Sequence, residues 1–259
     1  MQGKCALITG STQGLGYAIA ERLAAEGCNI VLNGFGDAGE IEDRRRKLEG
    51  EHGVRVLHHG ADIGDPAQVA DLVATAQQVF GAVDVLVNNA VVRHFSPLES
   101  FKPVDWDRAL AVNLSSAFHA TRLVLPGMRQ RNFGRILNIA SIYGLIGTVN
   151  RVDYVTTKTA LIGFTRAVAL ETAGQNITCN ALCPGTSPTP AIEDRLAGEM
   201  ATSGQSRSDA ERAFLASRQP TGRFVAPANV AALAALLCSD AGADITGSAI
   251  PIDGGWSAA

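Results

Sequence analysis

Seven short apolar runs, each separated from the next by a segment long enough to hold a helix, constrain this chain more than anything else in it. The runs fall at residues 4–9, 29–33, 54–58, 83–87, 135–140, 176–182 and 248–252. They are rich in Val, Ile and Leu and do not alternate with polar residues, which is the pattern of strands buried on both faces. Between them the spacing predicts helices over residues 14–26, 37–50, 65–80, 104–128, 154–172 and 227–238. Asp65-Pro66 supplies an N-cap followed by proline at the first helical position. Asp105 and Asp107 give the longest helix the acidic first turn that its dipole favours. Strict alternation of strand and helix predicts an α/β fold, a doubly wound parallel sheet flanked by helices.

With 259 residues, 46% of them hydrophobic and 18% charged, the chain can bury a large core. It shows no repeat, linker or low-complexity stretch, so one domain is expected over residues 1–259. One segment breaks the rhythm. Residues 186–223 hold no strand but two helical stretches, around 192–200 and 208–217. An excursion of that length reads as a helical lid over a substrate, with an oligomer contact as the alternative. A net charge of -3 gives no electrostatic reason to expect nucleic acid or an anionic membrane as partner. No run reaches the 18 or more apolar residues of a spanning helix, and the one after Lys4 is too short for a signal peptide. The 5 cysteines are scattered. Cys179 and Cys183 lack the further ligands a zinc site needs, so no metal is expected and the thiols read as buried apolar residues of a cytoplasmic protein. The basic run Arg44-Arg45-Arg46-Lys47 follows Glu40, Glu42 and Asp43, as on a solvated helix face.

The first run ends in Thr9-Gly10-Ser11-Thr12-Gln13-Gly14-Leu15-Gly16 and opens the first helix. Glycines there permit a tight turn and close approach of backbone to a pyrophosphate, which the helix N-terminus then faces. Further on, Asp62 and Ile63 follow the third strand and Asn88-Asn89-Ala90 the fourth. Asn113 lies in the long helix, Ser141 follows the fifth strand, and Tyr154 and Lys158 share one face of the next helix. Pro184, Gly185 and Thr189 follow the sixth strand, and Asp253-Gly254-Gly255 the seventh.

This ordered set resembles the short-chain dehydrogenase/reductase family over residues 4–256. The resemblance implies a single Rossmann-type domain and a nicotinamide cofactor. Its site would be Gly10, Thr12, Gln13, Gly14, Leu15, Gly16, Phe35, Asp62, Ile63, Asn89, Ala90, Pro184, Gly185 and Thr189, with Tyr154 and Lys158 shared between cofactor and chemistry. It also implies Tyr154 as general acid/base, Lys158 as its electrostatic partner and nicotinamide-ribose ligand, Ser141 as donor to the reacting oxygen, and Asn113 as holder of a water. A free phenol titrates near ~10, so a base at neutral pH needs its value lowered by roughly three units, about 4 kcal/mol of differential stabilisation. One departure is Val91, where the family usually carries glycine after Asn-Asn-Ala. A 2′-phosphate needs a nearby cation. Gln13 and the turn Asn33-Gly34-Phe35-Gly36-Asp37 provide none, and Arg44 is at least a helical turn further on, so NAD is expected.

Within the family the chain is most similar to D-3-hydroxybutyrate dehydrogenases, through Val31–Asp37, Leu125-Pro126-Gly127-Met128-Arg129 and Asp253-Gly254-Gly255-Trp256. Their substrate positions align here with Arg93, Tyr143 or Gly144, Arg151 and Glu193. Arg93 and Arg151, with Tyr143 beside them, predict a small anionic substrate, 3-hydroxybutyrate or a related hydroxy acid. Arg93 as a solvated loop residue is the bland alternative. Two other functions stay open: an NADPH-dependent 3-oxoacyl-thioester reductase acting on acyl carrier protein, and a non-catalytic NAD-sensing scaffold. The resemblance further implies a homotetramer built through the long helices and the C-terminal strand.

Overall fold

The computed structural model describes residues 1–259, the side chains of 190 and 191 apart. Strands and helices follow in the order β1 (Cys5–Ile8), α1 (Gly14–Ala25), β2 (Asn29–Asn33), α2 (Ala38–His52), β3 (Val56–His59), α3 (Pro66–Phe80) and β4 (Val85–Asn88). Then come α4 (Pro103–Leu110), a π turn (Ala111–Ser115), α5 (Ser116–Arg131), β5 (Gly134–Ile139), α6 (Val152–Thr172) and β6 (Ile177–Pro184). The chain ends with α7 (Pro190–Ser203), α8 (Arg207–Leu215), α9 (Pro227–Cys238) and β7 (Ala249–Ile252).

The strands form one sheet, all neighbours parallel, in the order β3-β2-β1-β4-β5-β6-β7. Successive strand residues point to opposite faces, so two cores arise. Ile8, Leu32 and Val87 pack with Ile19 and Leu23 of α1 and Val230 and Leu237 of α9. Leu7, Leu86 and Ile136 pack on the other face with Leu72 of α3 and Val124 and Met128 of α5. The order reverses between β1 and β4, and such a switch point leaves a crevice at the carboxyl ends of the strands. The segments after β1, β4, β5 and β6 all leave the sheet at that edge.

The alternation read from sequence is present strand for strand, and Asp65 caps α3 by accepting from Ala67 N–H. The helix expected over 104–128 is not uniform: a π turn at Ala111–Ser115 interrupts it and puts Asn113 out of the ordinary α register. The basic run of α2 is neutralised by Glu40, Glu42 and Glu49, and by Glu21 on α1. All five cysteines are buried and free. No helix is long and apolar enough to cross a membrane among the described residues.

Helix α1 closes tightly on the loop before it. A Cβ at Gly16 would collide with the Gly10 carbonyl oxygen and the Asn89 side-chain amide. Overpacking of this kind costs about 1–3 kcal/mol. Gly16→Ala is therefore expected to lower the melting temperature by roughly 2–10 °C in a calorimetric scan.

Candidate active site

The crevice is built first by hydrogen bonds among its own loops. Asn33, at the end of β2, accepts from Ser11 N–H through its carbonyl at 2.7 Å and donates from its side chain to His59 and Ala61 carbonyls at 3.0 Å. Asn89 donates to the carbonyls of Thr9 and Gly10 at 2.9 and 2.8 Å, while Thr9 Oγ1 accepts from the Asn89 and Ala90 amides. Thr12 Oγ1 donates to the Phe35 carbonyl, and the Phe35 ring is left 64% exposed. The start of α1 has no side-chain cap and no acidic residue in its first turn. A Cβ at Gly14 would meet nothing within 4 Å, so space stands open at that helix end.

The segment after β6 is fastened as well. Gly185 N–H donates to the Ile252 carbonyl, buried Gln219 accepts from Thr186 N–H, and Asp253 accepts from Gly255 and Ser257 N–H. Thr189 caps α7 through Ile192 N–H. Ser187 Oγ between them is buried without a hydrogen-bond partner.

Tyr154 and Lys158 are 6% and 2% exposed in the first half of α6. Lys158 Nζ lies 5.7 Å from the Tyr154 ring centroid and donates to the Ile139 carbonyl at 2.6 Å. Burial alone would raise the phenol's pKa, but Lys158, Arg93 and the Ser141 hydroxyl together outweigh it and bring the value below its usual range. Burial, acting against charge, also lowers the Lys158 ammonium. Asn113 Oδ1 accepts from Val92 N–H at 2.8 Å and its Nδ2 donates to the Val92 carbonyl at 3.0 Å. Its side chain is thereby committed to holding the loop after β4.

The expected substrate residues meet at the phenol. Arg151 Cζ lies 4.5 Å from the Tyr154 ring centroid, 4.1 Å from Phe95 and 5.6 Å from Tyr143. Arg93 Cζ lies 5.6 Å from the Tyr154 centroid, and the Tyr143 ring stands edge-on to both Tyr154 and Trp256. Glu193 is elsewhere: it pairs with Arg207 at 2.6 Å, joining α7 to α8.

The family model described as "Enoyl-(Acyl carrier protein) reductase" matches residues 10–257. Two relatives, the D-beta-hydroxybutyrate dehydrogenases of Cupriavidus necator and Rhizobium meliloti, are each 43% identical to the chain. The alignments cover 100% and 98% of this chain and 99% of each relative. The L-sorbose reductase of Gluconobacter frateurii, solved with NADPH and L-sorbose, superposes with a TM-score of 0.93 at 31% identity, covering 100% of this chain and 98% of that one. The chain belongs to the short-chain dehydrogenase/reductase family. It is an oxidoreductase acting on CH–OH groups.

A short-chain dehydrogenase/reductase uses a nicotinamide dinucleotide, and this crevice fits one. The uncapped α1 terminus and the open space at Gly14 suit a pyrophosphate, and the orphaned Ser187 hydroxyl is a polar group in want of a partner. Several details differ from the sequence reading. Val91 does not have positive φ, so the missing glycine imposes no strain at that position. Asp37 is the N-cap of α2, accepting from Glu40 N–H at 3.0 Å, so the helix proper begins one residue later than expected. Arg44 is not remote: its guanidinium folds back to donate to the Thr12 carbonyl and pairs with Glu40. Asp62 is engaged by both terminal nitrogens of Arg108, at 3.0 and 2.8 Å, which hold its carboxyl below the usual range.

Phe95, Gln219, Ser187 and the His94–Asp153 contact were not singled out from sequence, whereas Trp256 carried a local signal in its place after Asp253-Gly254-Gly255. With Tyr154 as the expected general base, activity should be lost as pH falls through its pKa, and a lowered pKa extends activity to lower pH. The alkaline rise in kcat/KM is expected to inflect below the ~10 of a free phenol. In Lys158→Met the inflection should move upward and the rate should drop at least ~100-fold, measured as a pH–rate profile.

Proposed function

We propose that the protein is an NAD-dependent dehydrogenase that oxidises the secondary hydroxyl of a small hydroxy acid, 3-hydroxybutyrate or a relative of it. The observation that carries this reading is the Arg151 guanidinium, held among the Phe95, Tyr143 and Tyr154 rings at the reacting phenol. A guanidinium whose close neighbours are aromatic rings keeps N–H donors for a planar, bidentate acceptor such as a carboxylate. The likeness to two D-beta-hydroxybutyrate dehydrogenases over nearly the whole chain supports the same class of substrate.

When bound, the nicotinamide supplies the electron acceptor, taking the hydride of the carbinol carbon. The protein's own groups do the rest. Tyr154, whose pKa Lys158 and Arg93 lower against the effect of burial, takes the hydroxyl proton as the carbonyl forms. Ser141 donates to the substrate oxygen, whose negative charge peaks between alcohol and ketone. Lys158 keeps the phenolate stable, and Asn113 fixes the loop that carries Arg93. Gly10, Thr12, Gln13, Gly14, Leu15 and Gly16 would hold the pyrophosphate side. Phe35, Asp62 and Ile63 would bound the adenosine, and Asn89, Ala90, Pro184, Gly185 and Thr189 the nicotinamide half. NAD is favoured over NADP because the turn after β2 holds no Lys or Arg and Arg44 is occupied by Thr12 and Glu40. Helices α7 and α8, within residues 186–223, would close over the substrate as a lid.

The free, buried thiols fit a reducing cytoplasm. Exposed Phe118 on α5 and Leu170 on α6 fit burial in a homotetramer.

Two measurements test this reading. NADH formation across a panel of hydroxy acids should show turnover, with NAD preferred to NADP at least tenfold. The reverse preference would favour a reductase acting on acyl-carrier-protein thioesters, and nucleotide binding without turnover of any alcohol would favour a sensing role. Arg151→Ala should raise KM for the anionic substrate about 100-fold while NAD affinity holds. Tyr154→Phe should abolish turnover and leave NAD binding intact.

A further inference from the structure

Arg93 sits in a loop, yet both of its neighbours are anchored. On one side Asn113 holds the N–H and C=O of Val92. On the other, His94 Nδ1 meets Asp153 Oδ2 at 2.9 Å, and the Asp153 side chain is 0% exposed. Asp153 lies in α6, two residues after Arg151 and immediately before Tyr154. The His94–Asp153 contact therefore ties the backbone of one arginine to the backbone of the other. Both guanidiniums come within 6 Å of the same phenol ring, where Lys158 is the third cation.

None of these three cations is ion-paired to a carboxylate among the described residues. Asp153 is engaged by His94, whose other ring nitrogen lies 3.9 Å from Asp105. Arg151 Nε is a buried donor with no acceptor. Burial, and after it the Arg93 charge, work against the Arg151 cation, and a bound anion relieves both. A monocarboxylate engages one of the two guanidiniums and leaves the other without an anion.

We propose that the enzyme's substrate is a hydroxydicarboxylate, a secondary alcohol with one carboxylate received by Arg151 and a second, across the carbinol carbon, received by Arg93. This rests on the reading of the site as an NAD-dependent hydroxy-acid dehydrogenase and narrows it. The redox step is the same: the carbinol carbon loses hydride to the nicotinamide and its hydroxyl proton goes to Tyr154, while both carboxylates are unchanged.

Malate is 3-hydroxybutyrate with the methyl group replaced by a carboxylate, so the two form a matched pair. NADH formation is measured with both enantiomers of each, and with 3-hydroxyglutarate as a longer dianion. The better dianion should exceed the better 3-hydroxybutyrate enantiomer at least tenfold in kcat/KM. In Arg93→Ala that ratio should fall at least tenfold, chiefly through KM for the dianion, and Arg93→Lys should restore part of it. A wild-type preference below tenfold, or a ratio unmoved by Arg93→Ala, overturns the proposal. Succinate against butyrate as competitive inhibitors of the wild-type enzyme gives the same comparison without a variant, and equal inhibition constants count against it. Turnover of 3-hydroxybutyrate with no dianion preference sinks this inference alone. Absence of NADH from every hydroxy acid sinks the dehydrogenase reading with it.

Discussion

Everything at the site depends on where β1 stands in the sheet. It pairs with β2 on one side and β4 on the other, and the chain leaves both β1 and β4 at the same edge. Backbone groups there have no further strand to bond, so side chains take over. Asn33, Asn89 and Thr9 satisfy that backbone and, in doing so, fix the glycine loop against its neighbours. The nucleotide cleft is thus the place where a parallel sheet runs out of partners and small polar residues substitute for the missing ladder. Close approach follows from it, which is why Gly16 tolerates no Cβ.

The chemistry rests on a second constraint, the electrostatics of a buried phenol. Desolvation opposes the charged forms of both Tyr154 and Lys158, so neither would hold its charge there alone. Their mutual attraction offsets part of that cost, and Arg93 lowers the phenol further. The π turn contributes indirectly. By moving Asn113 out of α-helical register it lets one amide side chain grip the main chain of Val92, one residue before Arg93. Tyr154 and Arg93 therefore share a mechanical frame, closed on its other side by His94 and Asp153.

Much of this was legible beforehand because it lives in local patterns. The seven apolar runs specified the strands, Asp65-Pro66 specified a helix start, and the spacing of Tyr154 and Lys158 placed both on one face of α6. Boundaries set by local capping were less legible: α2 continues to His52, where Gly53 turns into the left-handed region at φ 66. Residues that act through distant partners were misread or missed. Arg44 looked remote because helix length was counted along the axis, while its own long side chain covers the distance back to Thr12. The partner of His94 came into view only when α6 brought Asp153 to it across 59 residues of sequence.

The sequence by itself determined the α/β class and the family, and it put Tyr154 and Lys158 on one helix face, since each depends on order, period and short spacing. Only the tertiary structure decided which charges are free. An ion pair is a relation between side chains brought together by the fold, so no count of acids and bases along the chain can reveal that Asp62, Asp153 and Glu193 are engaged elsewhere. Nor can it reveal that Arg93 and Arg151 converge, without carboxylate partners, on one phenol.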